Sequence, residues 1–420
     1  MKVLSTRGGS EVSLSEAIAA GIAPDGGLYT PPALAAHTGP WGHDFHSRVI
    51  TLLRPFFAGE QLEPALDAIV GEAFTFDAPT KWLSPETGLL ELFHGPTAAF
   101  KDFGARFLAA CLSRLSTNCT VLVATSGDTG AAVAAAFHQR PGFRVVILYP
   151  DGRVSPRQAH QLGAFGDNVA AFRVAGTFDD CQRLVKAAFA DRELSAQHAL
   201  VSANSISLGR LLPQMAYYAQ ASLNAQEAGK GSSSFVVPTG NLGNAFACLL
   251  ARECGLPIDK VVLATNANRV LADFVATGHY APKDSLATLA NAMDVGAPSN
   301  VERLRHRFPE IAQVVEADWV DDETIRSRIK RTLDESGEII CPHTACGVEV
   351  LSRVRARGAS GTWIVAATAH PAKFDSIVEP LIGRKVPVPP ALAALLARPA
   401  HAAPLAPTLE AFAAALGQKA

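Results

Sequence analysis

The sequence predicts an α/β protein of two lobes, each built on a mostly parallel, helix-covered sheet, with a helical region in front. Three observations carry this prediction. From about residue 90, β-branched runs alternate with helical segments, the pattern of buried parallel strands and their crossover helices. Two of these runs end in glycine loops that open helices, SGDTG at 126–130 and GNLGN at 240–244. The 420 residues, 48% hydrophobic and 18% charged, are too many for one compact core and too apolar for wholesale disorder.

Residues 1–85 are expected to form the helical region. The stretch 13–21 reads as a short helix closed by Gly21, Pro24-Asp25-Gly26-Gly27 as a turn into Leu28-Tyr29-Thr30, and Pro31-Pro32 as a loop. Helical apolar spacing recurs at 45–57 and 62–74. A small lobe, 86–215, follows. Gly95-Pro96 starts a helix at Thr97, with Phe100, Phe103, Phe107 and Leu108 on one face. Strands are expected at 120–125, 144–149, 169–174 and 199–202. Helices fall after SGDTG to Gln139, at 178–190, and at 208–225, where Pro213 sits near the first turn or kinks the helix. The large lobe, 216–385, has strands at 235–237, 260–265, 312–316 and 362–368. Its helices run from GNLGN to Cys254, capped by Gly255, and over 323–336. The alanine- and proline-rich tail, 386–420, reads as short surface helices, and no internal repeat is present.

Composition narrows the function. Net charge is −2 with no basic tract, which argues against nucleic acid and anionic membranes as partners. MKVLSTRGGSEVSL lacks the apolar core of a signal peptide, and no uncharged run is long enough to span a bilayer. Seven cysteines without a C-x-x-C pair point to a reduced, cytoplasmic protein. Cys341 and Cys346 flank His343, but the spacing is not that of a zinc site, and no metal is expected. The sequence leaves monomer and homodimer both open.

The chemistry begins at Lys101, in the stretch ELFHGPTAAFKDFG. A lysine at the start of an apolar helix loses hydration, and a desolvated amine has a lowered pKa and can form a Schiff base with a carbonyl. The ordinary alternative is a lysine that snorkels to water or pairs with Asp102. Gly240, Asn241, Leu242, Gly243 and Asn244 sit where a helix N-terminus gathers free N–H groups, a place for a phosphate or simply a tight turn. Ser126 and Thr129 add hydroxyls to a second such loop, suited to a carboxylate. Asp128 in that loop either caps the helix or bonds a ligand hydroxyl. Two anion cups and an apolar lysine point to a phosphorylated aldehyde cofactor and an amino-acid substrate, the chemistry of pyridoxal phosphate.

These residues are familiar as a set. FHGPTAAFKD, ATSGDTG, PTGNLGN, Pro298-Ser299-Asn300-Val301-Glu302-Arg303, Pro342-His343-Thr344-Ala345 and Thr368-Ala369-His370-Pro371-Ala372-Lys373-Phe374 occur in the order found in threonine synthases. The chain resembles that family, whose members have the tryptophan synthase β-like fold (fold type II). The resemblance implies conversion of O-phospho-L-homoserine and water to L-threonine and phosphate, the last step of threonine biosynthesis. It implies that Lys101 carries pyridoxal phosphate, that 240–244 hold its phosphate with Asp128 among the cofactor residues, and that Thr368 faces the pyridine nitrogen. Thr125, Ser126, Gly127 and Thr129 would receive the substrate carboxylate. Asn204, Ser205 and Arg210 would hold the substrate phosphate, with Ser155 as a fourth contact. Ser207 stands where the family usually has asparagine, and Leu242 where phenylalanine is commoner. His94 and His370 lie near these motifs and are expected to be structural. The competing readings are a serine/threonine dehydratase or cysteine synthase of the same fold, and a regulatory relative without activity.

Overall fold

The computed structural model describes residues 1–9, 11–32, 36–115 and 118–417. The larger sheet runs Glu316–Trp319, Ile258–Thr265, Ser233–Pro238, Thr362–Ala367, Thr87–Glu91, Thr80–Ser84. All its neighbours are parallel except the last pair. The smaller sheet runs Ala403–Leu405, Val169–Val174, Phe143–Pro150, Cys119–Ala124, Leu200–Ser202 and is parallel throughout. Every residue of Cys119–Ala124, Ser233–Pro238 and Thr362–Ala367 is buried, because helices cover both faces. This is why these strands read as continuous apolar runs rather than alternations.

The strands converge on one place. Thr125 and Ser126 follow the end of Cys119–Ala124, Gly240 follows Ser233–Pro238, Thr368 follows Thr362–Ala367, and Asn204 follows Leu200–Ser202. In open parallel sheets, ligands bind beyond the carboxyl ends of the strands.

Several expected elements differ. Residues 1–85 are not wholly helical: Lys2–Ser5 pairs with Val12–Ser13 and Tyr29–Thr30 in a small antiparallel sheet. Thr80–Ser84 and Thr87–Glu91 form a hairpin in the larger sheet, so a boundary at 85/86 cuts through that sheet. The partner strand lies some 275 residues downstream, a pairing no local pattern carries. The lysine helix spans Lys101–Leu115 and does not begin at Thr97. Ala98 takes φ +56°, and Phe100 N–H donates to the Thr368 carbonyl, so 97–100 is a turn pinned to the end of a strand. The expected helix at 208–225 is broken into Leu208–Leu211, a short 3₁₀ turn and Met215–Glu227. The strand expected at 312–316 lies at Glu316–Trp319, after the 3₁₀ turn Ile311–Gln313. The tail is more than surface helix. Ala403–Leu405 adds an edge strand to the smaller sheet, and Leu409–Gly417 buries Phe412 and Leu416 against it.

The N-terminal helix Phe45–Phe57 is tied to Met215–Glu227 by Arg48, which is buried and donates to Gln220, Asn224, Glu227 and the Gly42 carbonyl. Arg48→Met would leave these acceptors without their donor. Hydrogen bonds from a charged group contribute about 1.5–3 kcal/mol, so a loss of this order is expected in urea unfolding. An unchanged unfolding midpoint would show that the tie does not hold the helices together.

Candidate active site

Lys101 is the first residue of its helix and lines a cavity between the sheets. Gly104, one turn on, allows the helix to approach Leu208–Leu211: a Cβ there would lie 2.6 Å from the Arg210 carbonyl oxygen. That approach sets Arg210 against the same cavity. Burial lowers the Lys101 pKa to about 8, with Asp128 acting in the opposite sense and Arg210 and Lys373 adding to the lowering. Asp102 is not its partner. The Asp102 carboxylate accepts from Thr97 N–H and Oγ1 at 2.9 and 2.7 Å and so fixes the turn before the helix.

Asp128 is buried at the cavity wall. Burial alone would raise its pKa, but Lys373, Lys101 and His343 together hold it below the usual carboxylate range. Its Oδ1 accepts from Lys373 Nζ at 2.8 Å and from Gln158 Nε2 at 2.9 Å. Gly127 has φ +134°, and a Cβ there would lie 2.6 Å from the Gln158 amide, so this bend requires glycine. The Thr125 hydroxyl accepts from the N–H groups of Gly127 and Gly130, both at 2.9 Å, and shapes the loop. Ser126 and Thr129 are part-exposed on the cavity wall. The N-cap residue of the helix Asp128–Phe137, Gly127, has no side chain to cap it, and Thr125 takes only the Gly130 N–H of the first turn, which leaves those of Asp128 and Thr129 for a ligand.

The loop 240–244 lines the same cavity. Leu242 is left-handed at φ +64°, a conformation costly for a branched side chain, and offers no cap to Gly243–Glu253. A Cβ on Gly243 would meet no other residue closer than 3.6 Å, so protein packing does not demand glycine there. The Asn244 side-chain oxygen Oδ1 accepts from Tyr217 and Tyr218 hydroxyls at 2.6 and 2.7 Å, while its buried Nδ2 has no partner among the described residues. Asn241 Nδ2 donates to Ser205 Oγ at 2.7 Å, which joins this loop to the 204–210 segment. Asn300 and Arg303 reinforce the join: Asn300 donates to the Asn241 carbonyl, and Arg303 donates to the carbonyls of Ile206 and Tyr29. An uncapped helix end with an orphaned amide suits a phosphate, and an adjacent desolvated amine suits an aldehyde. The residues present therefore fit pyridoxal phosphate.

Asn204, Ser205 and Arg210 all line the cavity. Arg210 is buried, and burial lowers its pKa to about 10. It donates to the Ala203 carbonyl, and its Nε has no partner among the described residues. Thr368 also lines the cavity. Ser155 does not: its hydroxyl caps Pro156–Gly163 and donates to the Lys373 carbonyl at 2.9 Å, so the expected fourth contact is not made here. Ser207 is buried, its hydroxyl without a partner among the described residues, and it lies off the cavity wall. His94 pairs with Glu91, and His370 caps the turn Pro371–Phe374, both away from the cavity. Lys373, Gln158 and His343 were not singled out as site residues by sequence reasoning. Lys373 and His343 fall inside recognised motifs, so position in a motif was the available signal.

His343 lines the cavity as a buried imidazole whose Nε2 accepts from Ala292 N–H at 3.0 Å. Burial lowers its pKa to about 4, against the pull of Asp128. The unfolded chain protonates this ring near 6.5 and the folded protein only near 4, so the unfolded state binds more protons in between. Stability therefore falls with acid through this window. Asp102, raised by burial to about 6, works in the opposite sense, recovering stability as it protonates. His343→Gln is expected to reduce the loss of unfolding free energy between pH 7 and pH 5 by roughly 2 kcal/mol. An unchanged difference between urea titrations at the two pH values would contradict the neutral, buried assignment.

Comparison with known proteins bears on the whole chain. Residues 83–368 match the family model of pyridoxal-phosphate dependent enzymes, residues 2–74 that of the threonine synthase N terminus, and residues 344–415 that of the threonine synthase C-terminal part. The threonine synthase of Serratia marcescens is 41% identical over 393 residues, 91% of each chain. The crystal structure of threonine synthase from Escherichia coli superposes with a TM-score of 0.92 at 37% identity, covering 99% of both chains. A pyridoxal-phosphate-bound threonine synthase from Brucella melitensis superposes at 0.89 and 34% identity, covering 99% of this chain and 98% of that one. With the motifs, the fold and the cavity in agreement, the chain belongs to the threonine synthase family of pyridoxal-phosphate-dependent enzymes.

Proposed function

We propose that the chain converts O-phospho-L-homoserine and water to L-threonine and phosphate at the cavity around Lys101, and that the predicted residues divide the work as follows. Pyridoxal phosphate, when bound, supplies an electron sink for negative charge developing beside the amino-bearing carbon. Lys101 holds the cofactor through its amine. Once released by the substrate's amino group, the same amine removes the Cα proton, then a Cβ proton. A pKa near 8 keeps an appreciable share of that amine unprotonated at neutral pH.

Gly240, Asn241, Leu242, Gly243 and Asn244 bind the cofactor phosphate through the uncapped helix end. Thr368, on the cavity wall, would offer a hydroxyl to the pyridine nitrogen, which would stabilise a protonated ring far less than a carboxylate. Ser126 and Thr129, with the N–H groups of the second helix end, take the substrate carboxylate. Asn204, Ser205 and Arg210 take the substrate phosphate. The observation that carries this reading is Arg210, a buried guanidinium on the wall of the same cavity as the loop assigned to the cofactor phosphate, with its Nε unpartnered among the described residues. A planar donor in that position matches a phosphate dianion. Dehydratases and cysteine synthases handle substrates without this phosphate and have no need of it.

Arg210→Ala provides the test. Removing one partner of a desolvated, charge-assisted pair costs about 2–5 kcal/mol, which is roughly 30-fold to several thousandfold in kcat/KM for phosphohomoserine. Cofactor content and slow deamination of serine should be largely spared. Equal losses on both substrates would return Arg210 to a structural role.

A further inference from the structure

Lys373 has no role in the assignments above, which supply the reading it rests on. It belongs to the 3₁₀ turn Pro371–Phe374, beyond the strand Thr362–Ala367. Its side chain is fully buried, and it does not line the cavity. Nζ donates to the Thr97 carbonyl at 2.7 Å and pairs with Asp128 Oδ1 at 2.8 Å. The main chain around it is pinned to the smaller lobe. The Lys373 carbonyl accepts from Ser155 Oγ at 2.9 Å and the Ala372 carbonyl from Arg157 Nη1 at 2.6 Å, while Arg157 Nε pairs with Asp375 at 3.1 Å. Gln158 donates to Asp128 and accepts from Asn291 Nδ2 at 3.0 Å, a second tie across the same seam.

We propose that Lys373 is a positioning residue for the Lys101 chemistry: by engaging Oδ1 of Asp128 from behind the cavity wall, it fixes the carboxylate's orientation and offsets part of its charge at the Lys101 nitrogen. The groups that face Lys101 and Asp128 are Lys373, Arg210 and His343. His343 is neutral near pH 7, and Arg210 stays charged. At the lysine Asp128 is opposed by Arg210 and Lys373, and of these two only Lys373 bonds the Asp128 carboxylate itself. Asp128 favours a proton on that nitrogen, and Lys373 disfavours one. A buried lysine confined to packing would have no sign to its effect.

The test uses the loaded, full-length protein and reads the pH midpoint at which the absorption of bound pyridoxal phosphate changes, together with cofactor retention. Lys373→Met leaves Asp128 opposed at the Lys101 nitrogen only by Arg210, so the midpoint should rise by about one unit. Asp128→Asn should lower it by a similar amount. The double substitution, which removes both charges, should fall between the single variants and near the unsubstituted protein. Midpoints that do not move, or that move in the same direction in both single variants, would overturn the role of Lys373. If Lys373→Met fails to fold because an unpaired carboxylate is left buried, the double variant should fold again. Failure of both while Asp128→Asn folds would make Lys373 a packing residue and overturn the proposal. Absence of a bound-cofactor band in the unsubstituted protein would overturn the Lys101 assignment and this inference together, whereas a normal band with unmoved midpoints overturns this inference alone.

Discussion

The structure depends on how one cavity balances charge away from water. Lys101, Arg210 and Asp128 line it, and Lys373 and Asp102 are buried beside these lining residues. Burying an unpaired charge is costly, and the least costly way to neutrality is for one base to give up its proton. Arginine resists this, and Lys373 is held by Asp128 and a carbonyl. Lys101 has no such acceptor among the described hydrogen bonds, and burial brings its pKa down to about 8, where the proton is lost most readily of the buried cations here. The nucleophile is thus a product of its surroundings rather than of any property of its helix.

Parallel sheets make that arrangement possible. Strands buried on both faces send their carboxyl ends to one edge, so residues distant in sequence meet without long side chains reaching for one another. Thr368, Gly240, Thr125 and Asn204 each stand within two residues of a strand end. The helices that follow two of these strands have no side-chain cap at their N-cap residues, Gly127 and Leu242. Four other helices carry reciprocal capping boxes, at Ser13, Asp44, Ser155 and Thr177, while Leu66–Ala73 and Val270–Thr277 also start uncapped. What sets the first two apart is that their N-terminal turns open onto the cavity, where free N–H groups suit an anion.

Much of this was legible in the sequence, and the failures share a cause. The strand at 169–174 and the helices at 45–57 and 178–190 follow from local periodicity and appear with the expected bounds. So do the two glycine loops, because a glycine cluster between a β-branched run and a helical segment is a local pattern. The hairpin Thr80–Glu91 and the edge strand Ala403–Leu405 are stabilised by partners far along the chain, and their own residues carry only a weak strand signal. The turn at 97–100 was read as helix because Pro96 and the apolar spacing favour one, while tertiary hydrogen bonds to Thr368 and His370 decide otherwise. In the site, residues whose chemistry is unusual for their setting, Lys101 and Arg210, stood out. Ser155 carried a plausible donor but is used as a cap. Lys373 and Gln158 act through Asp128, and nothing in a one-dimensional pattern reports a contact of that kind.

The central claim is that Lys101, a buried amine on the cavity wall, is the covalent attachment point of pyridoxal phosphate. Borohydride reduction of the loaded protein, followed by peptide mapping, tests it most directly. The account predicts one pyridoxyl group, on the peptide containing Phe100, Lys101 and Asp102, and loss of that label in Lys101→Ala. A label on Lys373 or on any other lysine would contradict it.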